Sequence, residues 1–207
     1  VVSAAPLAGR LPASQAHRSF EAVVVGTSAG GVQALLALLA QLPATFRLPI
    51  VVVIHLPADR ESKLSELFND RLAIRVKLAE DKEPVAPATV YFAGPAYHLS
   101  LEKDHTFSLS GEEPVNYSRP SIDVLMESAA DVYGAKLVGI LLTGANADGA
   151  TGLARIKQRG GLTVVQNPAE AKAPTMPEAA IGKSQPDYIL NLSTIHELLL
   201  AIDDQSK

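Results

Sequence analysis

Residues 22–54 read AVVVGTSAGGVQALLALLAQLPATFRLPIVVVI, and this stretch decides the fold. Ala22–Val25 and Ile50–Ile54 are unbroken apolar runs rich in β-branched residues, the pattern of strands buried on both faces of a parallel sheet. Between them Val32, Leu35, Leu36, Leu38 and Leu39 recur at helical spacing, so the stretch predicts a strand–helix–strand unit.

The alternation continues outward from this unit. A helix is expected over Lys63–Asn69 and a strand over Ile74–Leu78. Val90–Ala93, His98–Glu102 and Thr106–Ser110 are short and partly alternating, broken by Gly94-Pro95 and Lys103-Asp104; they predict an antiparallel hairpin beside the main sheet. Helix then follows over Ser121–Val132, with Ser121 as its cap. Strand Leu137–Leu142, helix Gly149–Arg159 and strand Leu162–Val165 come next. Helix Pro177–Gly182, strand Tyr188–Leu190 and helix Ser193–Ile202 end the pattern. The fold class expected is α/β, a doubly wound and mainly parallel sheet flanked by helices, with an inserted antiparallel hairpin. Residues 1–19 hold prolines and polar residues without periodicity and read as a linker or flexible N-terminal arm, leaving 20–207 as one domain.

Composition narrows the function. The chain has 207 residues, of which 47% are hydrophobic, enough for a sizeable core. A formal charge of −4 without a Lys/Arg cluster argues against nucleic-acid binding. No cysteine is present, which excludes disulfides, thiolate metal sites and a cysteine nucleophile, and fits a reducing, cytoplasmic setting. The longest apolar runs fall far short of the roughly 20 residues that span a bilayer, so no membrane insertion is expected.

In an open parallel sheet, ligands bind beyond the carboxyl ends of the strands. Three such places carry reactive residues: Gly26-Thr27-Ser28-Ala29-Gly30-Gly31, Ile54-His55-Leu56-Pro57, and Thr143 to Gly149. The first matches G-x-S-x-G, whose small residues allow a sharp strand-to-helix turn that lifts a serine hydroxyl clear. A serine there also suits a helix N-cap. Phosphate binding is the other reading of a glycine-rich turn. However, Ser28 replaces the second glycine of the dinucleotide pattern, and Val32-Gln33 stand where a P-loop needs Lys and Ser/Thr.

His55 ends the second strand. A buried histidine bonded to a backbone carbonyl is the bland alternative, but His17, His98, His105 and His196 are worse placed to serve Ser28. Asp148 precedes a helix and suits an N-cap, yet a carboxylate there could equally orient an imidazole. Together Ser28, His55 and Asp148 supply nucleophile, base and orienting acid on three strand ends. Their order along the chain differs from the Ser…Asp…His order of α/β-hydrolases.

At these residues the sequence resembles the catalytic domain of the chemotaxis protein-glutamate methylesterases, the CheB family. The resemblance runs from about Ala22 to about Ile202. It rests on GTSAGG (26–31), VVVIHLP (51–57), AEDKEPVAPATVYFAGPAYHL (79–99), PVNYSRPSIDVLMESAA (114–130), LLTGANADGATGL (141–153) and MPEAAI (176–181). It implies a triad of Ser28, His55 and Asp148 that removes methyl esters from glutamate side chains of chemoreceptors, releasing methanol, and that also deamidates receptor glutamines. It implies methyl-accepting chemotaxis receptors as partners, through their cytoplasmic helical region, and no metal or cofactor. The regulated members carry a receiver domain ahead of this one, and nothing in the sequence resembles it.

Two positions depart from the family pattern. Ala29 stands where members often have threonine, and Ala145-Asn146 stands where many have Met-Gly. Backbone N–H groups of Ala29 and Ala145 remain as oxyanion donors. Two other readings stay open from the residues: a general esterase or amidase with the same triad, and a catalytically silent module that binds receptor helices.

Overall fold

The computed structural model describes residues 2–3, 18–55 and 64–205. Its frame is an eight-stranded sheet, all of whose neighbours run parallel. In chain order the strands are β1 (Val2–Ser3), β2 (Ala22–Thr27), β3 (Ile50–Ile54), β4 (Arg75–Leu78), β5 (Thr89–Phe92), β8 (Leu137–Leu141), β9 (Leu162–Gln166) and β10 (Tyr188–Leu190). Across the sheet they lie β1-β10-β9-β8-β2-β3-β5-β4. Strands β6 (His98–Leu101) and β7 (Phe107–Ser110) pair antiparallel as a separate hairpin. The doubly wound sheet with its hairpin is the expected architecture.

The central strands β2, β3 and β8 are buried at every position, which is why their sequences show no alternation. Helices α1 (Gly31–Leu39), α2 (Leu64–Asn69) and α6 (Leu192–Gln205) lie on one face. There Leu35, Leu38, Phe68, Leu198 and Ile202 pack on Val23, Val25, Ile50 and Val52. Helices α3 (Ile122–Tyr133), α4 (Ala150–Gln158) and α5 (Thr175–Ser184) cover the other face with the hairpin. On that side Leu125, Met126, Leu153, Ile156 and Met176 meet Ala22, Val24, Val51 and Val53. Successive strand residues thus serve opposite layers, as a period of two requires. Among the described residues no helix is long and apolar enough to cross a membrane.

One expectation is corrected. The run at Val90–Ala93 does not join the hairpin; β5 lies inside the main sheet, parallel to both β3 and β4. All four of its residues are buried, so Tyr91 and Phe92 supply both layers of the core, and brevity rather than alternation made it resemble a hairpin strand. Of the expected arm, Val2–Ser3 run beside β10, while residues 4–17 lie outside the described residues. Lys63, Leu56 and Pro57 lie outside them too.

Candidate active site

Strand order explains why three distant segments meet. β2 lies between β8 and β3, and Thr27 pairs with Ile54 in the parallel register. Ser28 and His55 are the next residues on adjacent strands, which run about 4.8 Å apart. The His55 N–H donates to the Thr27 carbonyl at 3.2 Å, carrying the ladder one step past the strands. On the other side, the Ser28 N–H donates to Thr143 O at 2.9 Å, and the Thr27 hydroxyl donates to the same carbonyl at 2.8 Å.

Thr143 is the hub that holds the serine turn. Its own N–H donates to Gln166 Oε1 at 2.8 Å, and its hydroxyl donates to Ala29 O at 2.8 Å while accepting from the Ala173 N–H at 2.9 Å. The turn then closes at Gly30, whose φ of 83° is left-handed and whose added Cβ would come 2.8 Å from Lys172 Cβ. Glycine meets both demands. Ser28 is half-buried, and among the described residues its hydroxyl has no hydrogen-bond partner.

His55 Nε2 and Asp148 Oδ2 are 3.0 Å apart, so these two expected site residues are joined directly. A bond from the end of β3 to the segment after β8 must pass across the end of β2, where Ser28 sits. The ring is mostly buried, with 14% of the His55 side chain exposed. No side-chain bond links Ser28 to the imidazole among the described residues.

Asp148 is fully buried and surrounded by donors. Its Oδ2 accepts from His55 and from the Ile122 N–H at 2.7 Å. Its Oδ1 accepts from the Ser121 hydroxyl at 2.9 Å, Asn116 Nδ2 at 3.0 Å and the Asp123 N–H at 3.2 Å. Burial alone pushes this carboxyl up, but the bonds from His55, Asn116 and the Ile122 and Asp123 N–H groups outweigh it, holding the pKa below the ordinary 3.8. The acid is therefore an anion, and the imidazole nitrogen facing it carries a proton.

This arrangement corrects the capping expectations. Asp148 does not cap its own helix: Gly149 occupies that position, with a φ of 90° and no side-chain cap bond. The carboxylate instead binds the first N–H groups of α3, where the helix dipole favours a negative charge. Ser121 does sit at the α3 N-cap, but its hydroxyl goes to Asp148 rather than to the helix backbone.

Three residues have supporting roles that the sequence reading did not give them. Asn116 uses both amide hydrogens on carboxylates, Asp148 at 3.0 Å and Asp123 Oδ2 at 2.8 Å. Burial, and then the Asp148 charge, push the Asp123 carboxyl up, while the Gly152 N–H and the Asn116 amide oppose them. His98, 2% exposed, accepts the Ser121 N–H on Nδ1 at 3.2 Å and donates from Nε2 to Glu113 O at 3.0 Å. Asn146 sits in the Asp148 loop: its Oδ1 accepts the Asp148 N–H at 3.2 Å, and its Nδ2 lies 3.4 Å from His55 Nδ1. Asn116 and His98 gave no local signal because their partners are brought in by the fold, whereas Asn146 stood out in the sequence but its contact with His55 is tertiary.

Ala29 and Ala145 are exposed, and among the described residues neither backbone N–H has a protein acceptor. The described residues hold no group of three His, Cys, Asp or Glu side chains that could bind a metal ion.

Fold and rim together define a doubly wound α/β protein whose polar cluster gathers at the carboxyl ends of β2, β3 and β8. The family model described as CheB methylesterase matches residues 23–199, and the chain belongs to that family. A Leptospira interrogans relative, provisionally named a protein-glutamate methylesterase/protein-glutamine glutaminase, is 47% identical over 91% of this chain and 97% of its own length. The Carboxydothermus hydrogenoformans protein-glutamate methylesterase/protein-glutamine glutaminase 1 is 39% identical over 86% of this chain, which spans 54% of that longer protein. The crystal structure of the Thermotoga maritima CheB methylesterase catalytic domain superposes with a TM-score of 0.84 at 33% identity, over 88% of this chain and 98% of that one.

Proposed function

We propose that the chain is a serine hydrolase that removes methyl esters from glutamate side chains of chemotaxis receptors, and deamidates receptor glutamines by the same route. The observation that carries this reading is the His55–Asp148 bond spanning the strand end that bears Ser28. With Nε2 donating to the carboxylate, Nδ1 keeps the lone pair that a base needs. The Ser28 hydroxyl, free of other partners among the described residues, is available to turn toward it.

In the first step His55 Nδ1 takes the hydroxyl proton as Ser28 Oγ bonds to the ester carbonyl carbon, and the carbonyl π pair moves onto oxygen. Asp148 holds the ring tautomer and stabilises the imidazolium. The N–H groups of Ala29 and Ala145 face the developing oxyanion. Collapse expels methoxide, which leaves as methanol with the proton from His55. Water then repeats the sequence on the acyl-enzyme and frees glutamate. With glutamine the leaving group is ammonia. The partner is the cytoplasmic helical region of a methyl-accepting receptor, which sets the enzyme in the cytoplasm. The names of the relatives and the family membership support the substrate assignment.

Methanol release from methylated receptor membranes tests the reading. The chain is expected to release methanol and the Ser28→Ala variant to release none above background. Equal release by both would overturn the serine mechanism. Hydrolysis of p-nitrophenyl esters without any release from receptors would make the chain a general esterase instead.

A further inference from the structure

The Asn146 side chain reaches the nitrogen of the His55 ring that does not face Asp148. The amide orientation is fixed by its own loop. Oδ1 accepts the Asp148 N–H at 3.2 Å, so the NH2 group is the end that faces His55 Nδ1, at 3.4 Å. That separation is long for a hydrogen bond, so the resting contact is weak. The neighbouring Ala145 N–H, on the same loop, is unpartnered among the described residues. That loop thus carries two donors, and the Asn146 amide is the one that faces the nitrogen to which the serine proton must go.

We propose that the Asn146 side-chain amide is a catalytic oxyanion donor, held in reserve against His55 Nδ1 until the serine attacks. The proposal rests on the serine mechanism above and adds a group to it. In the resting state Nδ1 is an acceptor and the amide N–H points at it. When Nδ1 takes the Ser28 proton, it becomes a donor. Two N–H groups then oppose each other, and the amide loses its acceptor. In the same step the ester carbonyl oxygen gains the electron pair and becomes the strongest new acceptor nearby. The amide moves to it, and no atom beyond those already transferred is required. An interaction that is absent from the resting complex and forms as charge develops in the transition state lowers the barrier without tightening substrate binding, so it acts on kcat and not on KM.

The test compares wild type, Asn146→Ala and Asn146→Ser on methylated receptor membranes, with melting curves to verify folding. The serine variant retains an oxygen able to accept the Asp148 N–H, so it keeps the local turn and withdraws only the amide donors. Both variants are expected to lose about 10²- to 10³-fold in kcat, the typical loss for one oxyanion donor, with KM changed less than about twofold. Affinity for a phosphonate that mimics the tetrahedral intermediate should fall by the same factor as kcat. An unchanged or increased kcat would show that the amide merely occupies Nδ1, and overturns the proposal. So does a reduced kcat with undiminished phosphonate affinity, which assigns Asn146 to holding the ring. Turnover by Ser28→Ala in the same assay would refute the underlying mechanism instead, so the two failures are distinguishable.

Discussion

Two histidines lie within one residue's reach of Asp148, and their surroundings put them to opposite uses. His98 gives both ring nitrogens to backbone groups: Nδ1 accepts from Ser121 and Nε2 donates to Glu113 O. With 2% of the residue exposed, no lone pair remains for a substrate. His55 gives Nε2 to a carboxylate and leaves Nδ1 with only the long contact to Asn146. One ring fastens the segment before α3; the other is charge-stabilised at one end and loosely held at the other. The residue type is the same, and what makes a base is the partner of each nitrogen.

The sharpest way to break this contrast is to replace each ring. His55→Gln should lower kcat for methanol release by about 10⁶-fold, as removal of a serine hydrolase's base does. His98→Gln should change it less than about tenfold. Comparable losses would erase the distinction. Asp148→Asn should cost about 10⁴-fold, because an amide can present its NH2 to the ring and disfavour the tautomer the base needs. Asn116→Gly should reduce kcat about tenfold. It removes one of the five donors around Asp148, and glycine tolerates the φ of 51° at that position. In urea unfolding, His98→Gln should cost about 1–3 kcal/mol, since it leaves the buried Ser121 N–H or the Glu113 carbonyl poorly matched.

The smallest effect is a pH dependence. Because the folded-state pKa of Asp148 is depressed, the stability that its ionisation contributes is complete above the unfolded value, near 3.8, and is lost as pH falls through the lower folded value. Wild type should therefore lose part of its stability advantage over Asp148→Asn below about pH 4, measured by parallel melts. A gap that widens on acidification would contradict the sign.

Much of this is legible in the sequence. β2 and β3 are so uniformly apolar that only a sheet covered on both sides suits them, and Ser28, His55 and Asp148 each follow such a run. The run at Val90 is ambiguous in sequence because four buried residues are too few to display a period. The role of Asp148 was ambiguous for another reason. A carboxylate just before a helix looks like that helix's cap, and nothing local says that it will bind the start of α3 instead.

Hydrophobic period and turn composition act over a few neighbouring residues, so the element types, the doubly wound class and the three strand ends of the proposed triad can be read from the chain alone. Tertiary structure alone decided that β2 lies between β8 and β3, so that His55 reaches Asp148 across Ser28. It alone assigned Asn116, Ser121, His98 and Asn146 their partners. Those bonds join groups up to 91 residues apart, and a hydrogen bond depends on separations of a few tenths of an ångström that no spacing along the chain encodes.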